Sequence, residues 1–209
     1  MLNSWKNYRN LLLVEIALSY CFGCDDSTRH AGKGPPPASA YVYNPHLDKR
    51  GREDAESFAE FDKFAEAVRR FTSTKIYEGL PHSAFERDLF DSERDSKEIV
   101  EVGKELFYSK PIVVTATSME QVRSLLAART SFVPFIGIKM CGGFHADWAL
   151  VGSDGTDEYE ILLCFGCGEM IVDKNHAQLI RCDIWDTAAF ERVLNPLHLN
   201  RPHGRDSTW

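Results

Sequence analysis

The sequence predicts an α+β domain: an antiparallel meander of about five strands with helices packed on one face. Two observations carry that expectation. Five strand-like runs follow one another between residues 135 and 184, with three to six residues between them. Connections that short join antiparallel neighbours only. Helix-period segments fall before and after this block but not inside it, which disfavours a doubly wound parallel sheet.

The elements follow in order. REDAESFAEFDKFAEAVRRF (52–71) repeats Phe58, Phe61, Ala65, Val68 and Phe71 at three- and four-residue spacing, the period of a helix with one apolar face. STKIYEG (73–79) reads as a short strand, closed by Leu80-Pro81-His82. Ser83 with Glu86 has the form of a capping box, so a short helix is expected there. Residues 91–98 are charged and expected to be exposed. EIVEVGKELFY (98–108) fits neither period, because Gly103 interrupts both. PIVVTA (111–116) reads as a β-branched strand. Ser118 with Gln121 forms a second capping box before MEQVRSLLAAR, whose Met119, Val122, Leu125 and Leu126 share one face. The meander comprises FIGIKM (135–140), DWALVGS (147–153), EYEILLCF (158–165), EMIVD (169–173) and AQLIRCDI (177–184). Asp154-Gly155 is a hairpin signal. Asp186 caps a last helix bearing Phe190, Val193, Leu194 and Leu197.

The 209 residues carry a net charge of −7, with Lys and Arg scattered among Asp and Glu, so no nucleic-acid partner is expected. Residues 1–23 read as a signal-like segment: Lys6 and Arg9, then the mostly apolar LLLVEIALSYCFG, then Cys24 after the small Gly23. That order resembles the lipoprotein signals of bacteria and makes Cys24 the expected lipid-attachment residue. The alternative is an amphipathic helix of a cytoplasmic protein. Residues 24–50 include DDSTRHAGKGPPPASA, which reads as a flexible tether. Residues 51–200 form the single domain, and 201–209 a disordered tail.

The chemistry-bearing residues gather where the meander turns. Pairing 147–153 with 158–165 through the Asp-Gly turn returns Cys164 towards Cys141 and His145, and Cys167 opens the next strand. Three chemistries are open to this cluster. Cys164-x-x-Cys167-Gly resembles a zinc knuckle, which Cys141 and His145 would complete. A thiol redox pair is a second reading, although the motif lacks the helix N-terminus that activates such thiols. The third is a structural disulfide, of Cys141 to one of the pair or of Cys164 to Cys167. It is the expected state in an oxidising compartment, and closing a loop of roughly 25 residues contributes about 3 kcal/mol. Cys182 reads as a buried free thiol. Glu78 and His82 could approach His145 and Asp147 as a possible ligand-binding or metal-binding set. No P-loop, Gly-x-Ser-x-Gly or dinucleotide fingerprint is present.

YEGLPH (77–82), CGGFHADWAL (141–150), LLCFGCGE (162–169) and LNRPH (199–203) resemble an uncharacterised family of predicted lipoproteins or secreted proteins of bacteria, planctomycetes among them. Ala146 and Trp148 stand where that pattern has Pro and Tyr. The resemblance covers roughly residues 73–203, implies export and carries over no catalytic residues, the family having no assigned activity. The expectation is therefore an exported, lipid-anchored, non-catalytic binding or structural module at the cell envelope. It would need no cofactor and would serve an envelope partner or a small ligand. The alternative is a zinc protein or metal-dependent enzyme built on Cys141, His145, Cys164 and Cys167.

Overall fold

A computed structural model describes residues 49–137, 139 and 142–201. Cys24, Cys141 and the segments expected to be signal and tether (but for residues 49 and 50) lie outside the described residues, as does the tail beyond Arg201.

The chain enters through α1 (Lys49–Ser57), a 3-10 turn (Phe58–Glu60) and α2 (Phe61–Arg69). The expected single helix is thus interrupted by one tighter turn, while its apolar stripe stays on one side: Phe58, Phe61, Phe64, Ala65, Val68 and Phe71 are all buried. β1 (Ser73–Glu78) follows, then α3 (Arg87–Ser96), β2 (Ile99–Val102), β3 (Glu105–Tyr108), α4 (Ala116–Ala127), β4 (Phe132–Pro134), β5 (Trp148–Ser153), β6 (Glu158–Cys164), β7 (Glu169–Lys174), β8 (Ala177–Ile184) and α5 (Thr187–Leu194).

Six strands make one antiparallel sheet in the order β1-β5-β6-β7-β8-β4, and β2 and β3 form a separate ribbon. The α+β class and the meander stand, with six strands in place of about five. Register across the first hairpin pairs Trp148 with Leu163 and Ser153 with Glu158. Asp154 fixes that turn by accepting the Thr156 and Asp157 N–H groups on Oδ1 at 3.0 and 2.9 Å.

Four expectations change. The described residues of FIGIKM, 135–137 and 139, form no strand beside β8; the pairing comes earlier, over Phe132–Pro134. Pro134 has no N–H to continue the ladder, and the Ile136 N–H is taken by the Asp183 carboxylate at 3.2 Å. PIVVTA makes a single bridge, Ile112 to Ile76, because Thr115 already caps α4 by accepting from the Ser118 N–H. The charged stretch 91–98 is largely the second half of α3, whose Glu93 is buried and accepts from the Tyr108 hydroxyl. The segment with no clear period is the β2–β3 hairpin: Gly103 and Lys104 both have positive φ, 56° and 73°, as a two-residue turn between twisted strands requires.

Two apolar layers result. Phe61, Phe64, Phe132, Trp148, Ile161, Met170, Cys182 and Phe190 fill the main core between the sheet and the helices. On the opposite face Val102 and Phe107 of the ribbon cover Tyr77, Ala149 and Leu162.

Candidate functional site

The ends of β1, β5 and β6 and the start of β7 meet the C-terminus of α5 at one end of the sheet. Gly79 sets the spacing. Its N–H bonds the Asp147 carbonyl at 2.8 Å, and a Cβ there would run into the Ala146 carbonyl oxygen. The YEGLPH segment therefore lies directly on the segment that carries His145.

Glu78 is fully buried and accepts five hydrogen bonds from the chain after α5. His198 Nδ1 and the Arg201 N–H donate to Oε1 at 2.7 and 2.9 Å. The Leu199 and Asn200 N–H groups and Asn200 Nδ2 donate to Oε2 at 3.1, 2.8 and 3.0 Å. Burial alone would raise this carboxyl, but the His198 bond and the three backbone bonds outweigh it and hold the pKa at about 2. Glu78 is thus ionised and saturated by protein donors. Its role is to fasten the 198–201 segment across the sheet.

That segment delivers Arg201, whose guanidinium joins Glu86 at 2.6 Å and Asp147 at 3.4 Å. Asp147 also accepts the Phe165 N–H on Oδ2 at 2.7 Å, tying β5 to the turn after β6. Glu86 accepts the His82 N–H at 2.9 Å, which replaces the expected Ser83 capping box and pins His82.

His82 and His145 come together, with ring centroids 4.6 Å apart. Their tautomers follow from their partners. His145 Nε2 lies 3.0 Å from the Leu80 carbonyl, which can only accept, so Nε2 carries the proton and Nδ1 keeps its lone pair. His82 Nδ1 accepts the Ala84 N–H at 3.0 Å, so in the neutral ring Nε2 carries the proton. Burial, opposed by the Asp147 charge, holds the His145 pKa below its ordinary value.

The cysteines differ from one another. Cys167 is disulfide-bonded, while Cys164 and Cys182 are free thiols. A Cys164–Cys167 bridge is therefore excluded, and the partner of Cys167 lies outside the described residues. Cys167 Sγ is 3.4 Å from the Gly143 carbonyl oxygen. Cys164 is buried, and its sulfur accepts the Cys167 N–H at 3.1 Å. Burial, then the Asp147 charge, push its pKa up to about 12, so the thiol is neutral.

Around these groups opens a cleft of about 630 Å³ lined by His82, Phe85, His145, Cys164, Phe165 and Glu191, among others. No set of three or more His, Cys, Asp or Glu side chains is arranged to hold a metal ion among the described residues.

Comparison with protein-family models, with curated proteins and with solved structures returned no match for this chain.

Sequence reasoning expected Cys141, His145, Cys164 and Cys167 at one end of the sheet and left Glu78 and His82 only a possible approach to His145 and Asp147; among the described residues His82, His145, Asp147, Cys164 and Cys167 line one cleft. Sequence reasoning missed Glu191, His198 and Arg201. LNRPH was visible as a motif, but nothing in it names Glu78 as the acceptor 120 residues earlier.

Proposed function

We propose that residues 49–201 form a non-catalytic binding module whose ligand site is the cleft at the His82–His145 end of the sheet, carried by an exported, lipid-anchored chain at the cell envelope. The observation that carries the binding reading is the cleft itself. At about 630 Å³ it is in the range that small ligands fill. Its walls are fixed by groups already engaged with one another, Glu78 with the 198–201 segment and Arg201 with Glu86 and Asp147. The non-catalytic reading draws support from the neutral, buried Cys164 thiol and the oxidised Cys167, which offer no poised nucleophile.

An exported chain would keep the Cys167 disulfide, since disulfides persist in oxidising compartments. Cys141 is its proposed partner: the Gly143 carbonyl against the Cys167 sulfur brings the chain to within two residues of it. The resemblance to predicted lipoproteins stands on the same side of the argument.

The binding reading is tested by screening small metabolites against the full chain by NMR. Hits are expected to move the ring resonances of His82 and His145. Hits that scatter over the surface, or a millimolar library that moves neither ring, overturn it. Palmitate labelling of the chain in its host, abolished in Cys24→Ser, tests the anchor; unlabelled full-length chain in the cytoplasm refutes it.

A further inference from the structure

The charged groups lining the cleft do not cancel. Three carboxylates, Glu86, Asp147 and Glu191, face one guanidinium, Arg201. Arg201 is engaged by Glu86 and Asp147, whereas the Glu191 carboxylate has no hydrogen bond or ion pair among the described residues. Glu191 and Asp147 also repel one another: burial, then the Asp147 charge, lift the Glu191 carboxyl above its ordinary range, and the Arg192 charge offsets this only in part. A positive group between them relieves that repulsion.

The uncharged lining agrees. His145 is only 7% exposed yet borders the cleft, and with Nε2–H bonded to Leu80 its Nδ1 is an acceptor and not a donor. Phe85, 51% exposed, and Phe165 add aromatic rings to the same walls. Negative charge, a lone pair and aromatic faces in a confined space favour a cation. A phosphate would meet three carboxylates and a guanidinium already engaged.

We infer that the cleft takes a small organic cation bearing an ammonium or guanidinium group. The Glu191 carboxylate and the His145 Nδ1 lone pair bind the charged end, and Phe85 and Phe165 border its hydrocarbon. The inference rests on the cleft being a binding site and narrows that reading to one charge class.

The test titrates the full, oxidised chain with agmatine and methylguanidine by calorimetry and NMR, alongside glucose, inorganic phosphate and zinc chloride. The cations are expected to bind and to shift the His145 ring. Glu191→Gln is expected to weaken them about tenfold or more through loss of a charge-assisted hydrogen bond. The same variant should melt no lower than the parent, because it removes a charge that has no partner. Phosphate, glucose or zinc shifting the histidine rings while the cations do not overturns the charge class and leaves the cleft as a site. Cation binding unchanged in Glu191→Gln overturns the assignment of the site to that carboxylate. No probe shifting either ring overturns this inference and counts against the cleft as a binding site.

Discussion

Glu78→Gln is the most informative substitution in this domain. The carboxylate accepts five donors in a fully buried position, and its pKa falls from 4.5 to about 2. That difference corresponds to about 3 kcal/mol of stability at neutral pH. The unfolded chain takes up the proton first, near 4.5, and the folded chain only near 2. The contribution is therefore complete above the ordinary carboxylate range and is lost as pH falls from about 5 towards 2. Glutamine fits the space but not the pattern. Whichever way its amide lies, an NH2 group replaces an oxygen that now accepts two or three N–H groups. Buried donors left unmet cost about 1–3 kcal/mol each. Allowing for relaxation of the His198 ring, the substitution should destabilise the chain by about 3–5 kcal/mol at neutral pH. Urea unfolding followed by tryptophan fluorescence, repeated from neutral pH down to about pH 2, reads both quantities. The gap between wild type and variant should shrink steadily with acid. A gap below about 0.5 kcal/mol at neutral pH, or one that does not change with pH, would refute the assignment of Glu78 as the fastening for residues 198–201.

Glu105 carries the opposite sign. Burial, only partly offset by a bond from the Ala146 N–H, raises its carboxyl to about 7. The folded chain thus loses stability as pH rises from 4.5 towards 7, and Glu105→Gln should gain up to about 3 kcal/mol above pH 8 and little near pH 4 in the same urea assay. Gly79→Ala should destabilise by about 2 kcal/mol or more, since its Cβ meets the Ala146 and Asp147 backbone and neither can retreat without opening the β1–β5 pairing. Circular dichroism melting checks this. Alkylation under denaturing, non-reducing conditions should label Cys164 and Cys182 in the wild-type chain and Cys167 in addition in Cys141→Ser; peptide mass spectrometry reads the sites, and a still-blocked Cys167 refutes the pairing with Cys141. His145 should titrate by NMR below the ordinary histidine value, with stability falling as pH drops through about 6.5 because the unfolded imidazole takes the proton first.

Local chemistry made much of the fold legible. The short connections of the β5–β8 meander, the Asp154-Gly155 turn and the Asp186 cap each act within a few residues, and each appears where the sequence placed it. The elements that were misread depended on distant partners. FIGIKM has strand composition, but Asp183 draws its Ile136 N–H out of the ladder. The second half of α3 looks like an exposed charged stretch until Tyr108 reaches its buried Glu93.

The candidate site divides in the same way. Sequence alone set the hairpin register that returns Cys164 to the level of Asp147, two residues from His145, because the turn and its length fix register locally. Only the tertiary structure decided what those groups do. It saturates Glu78 with the 198–201 segment, locks His145 into one tautomer through Leu80, separates an oxidised Cys167 from a free Cys164, and leaves the Glu191 carboxylate without a hydrogen bond or ion pair among the described residues. Protonation state and hydrogen-bond saturation depend on neighbours supplied by the whole fold, and sequence spacing does not encode those neighbours.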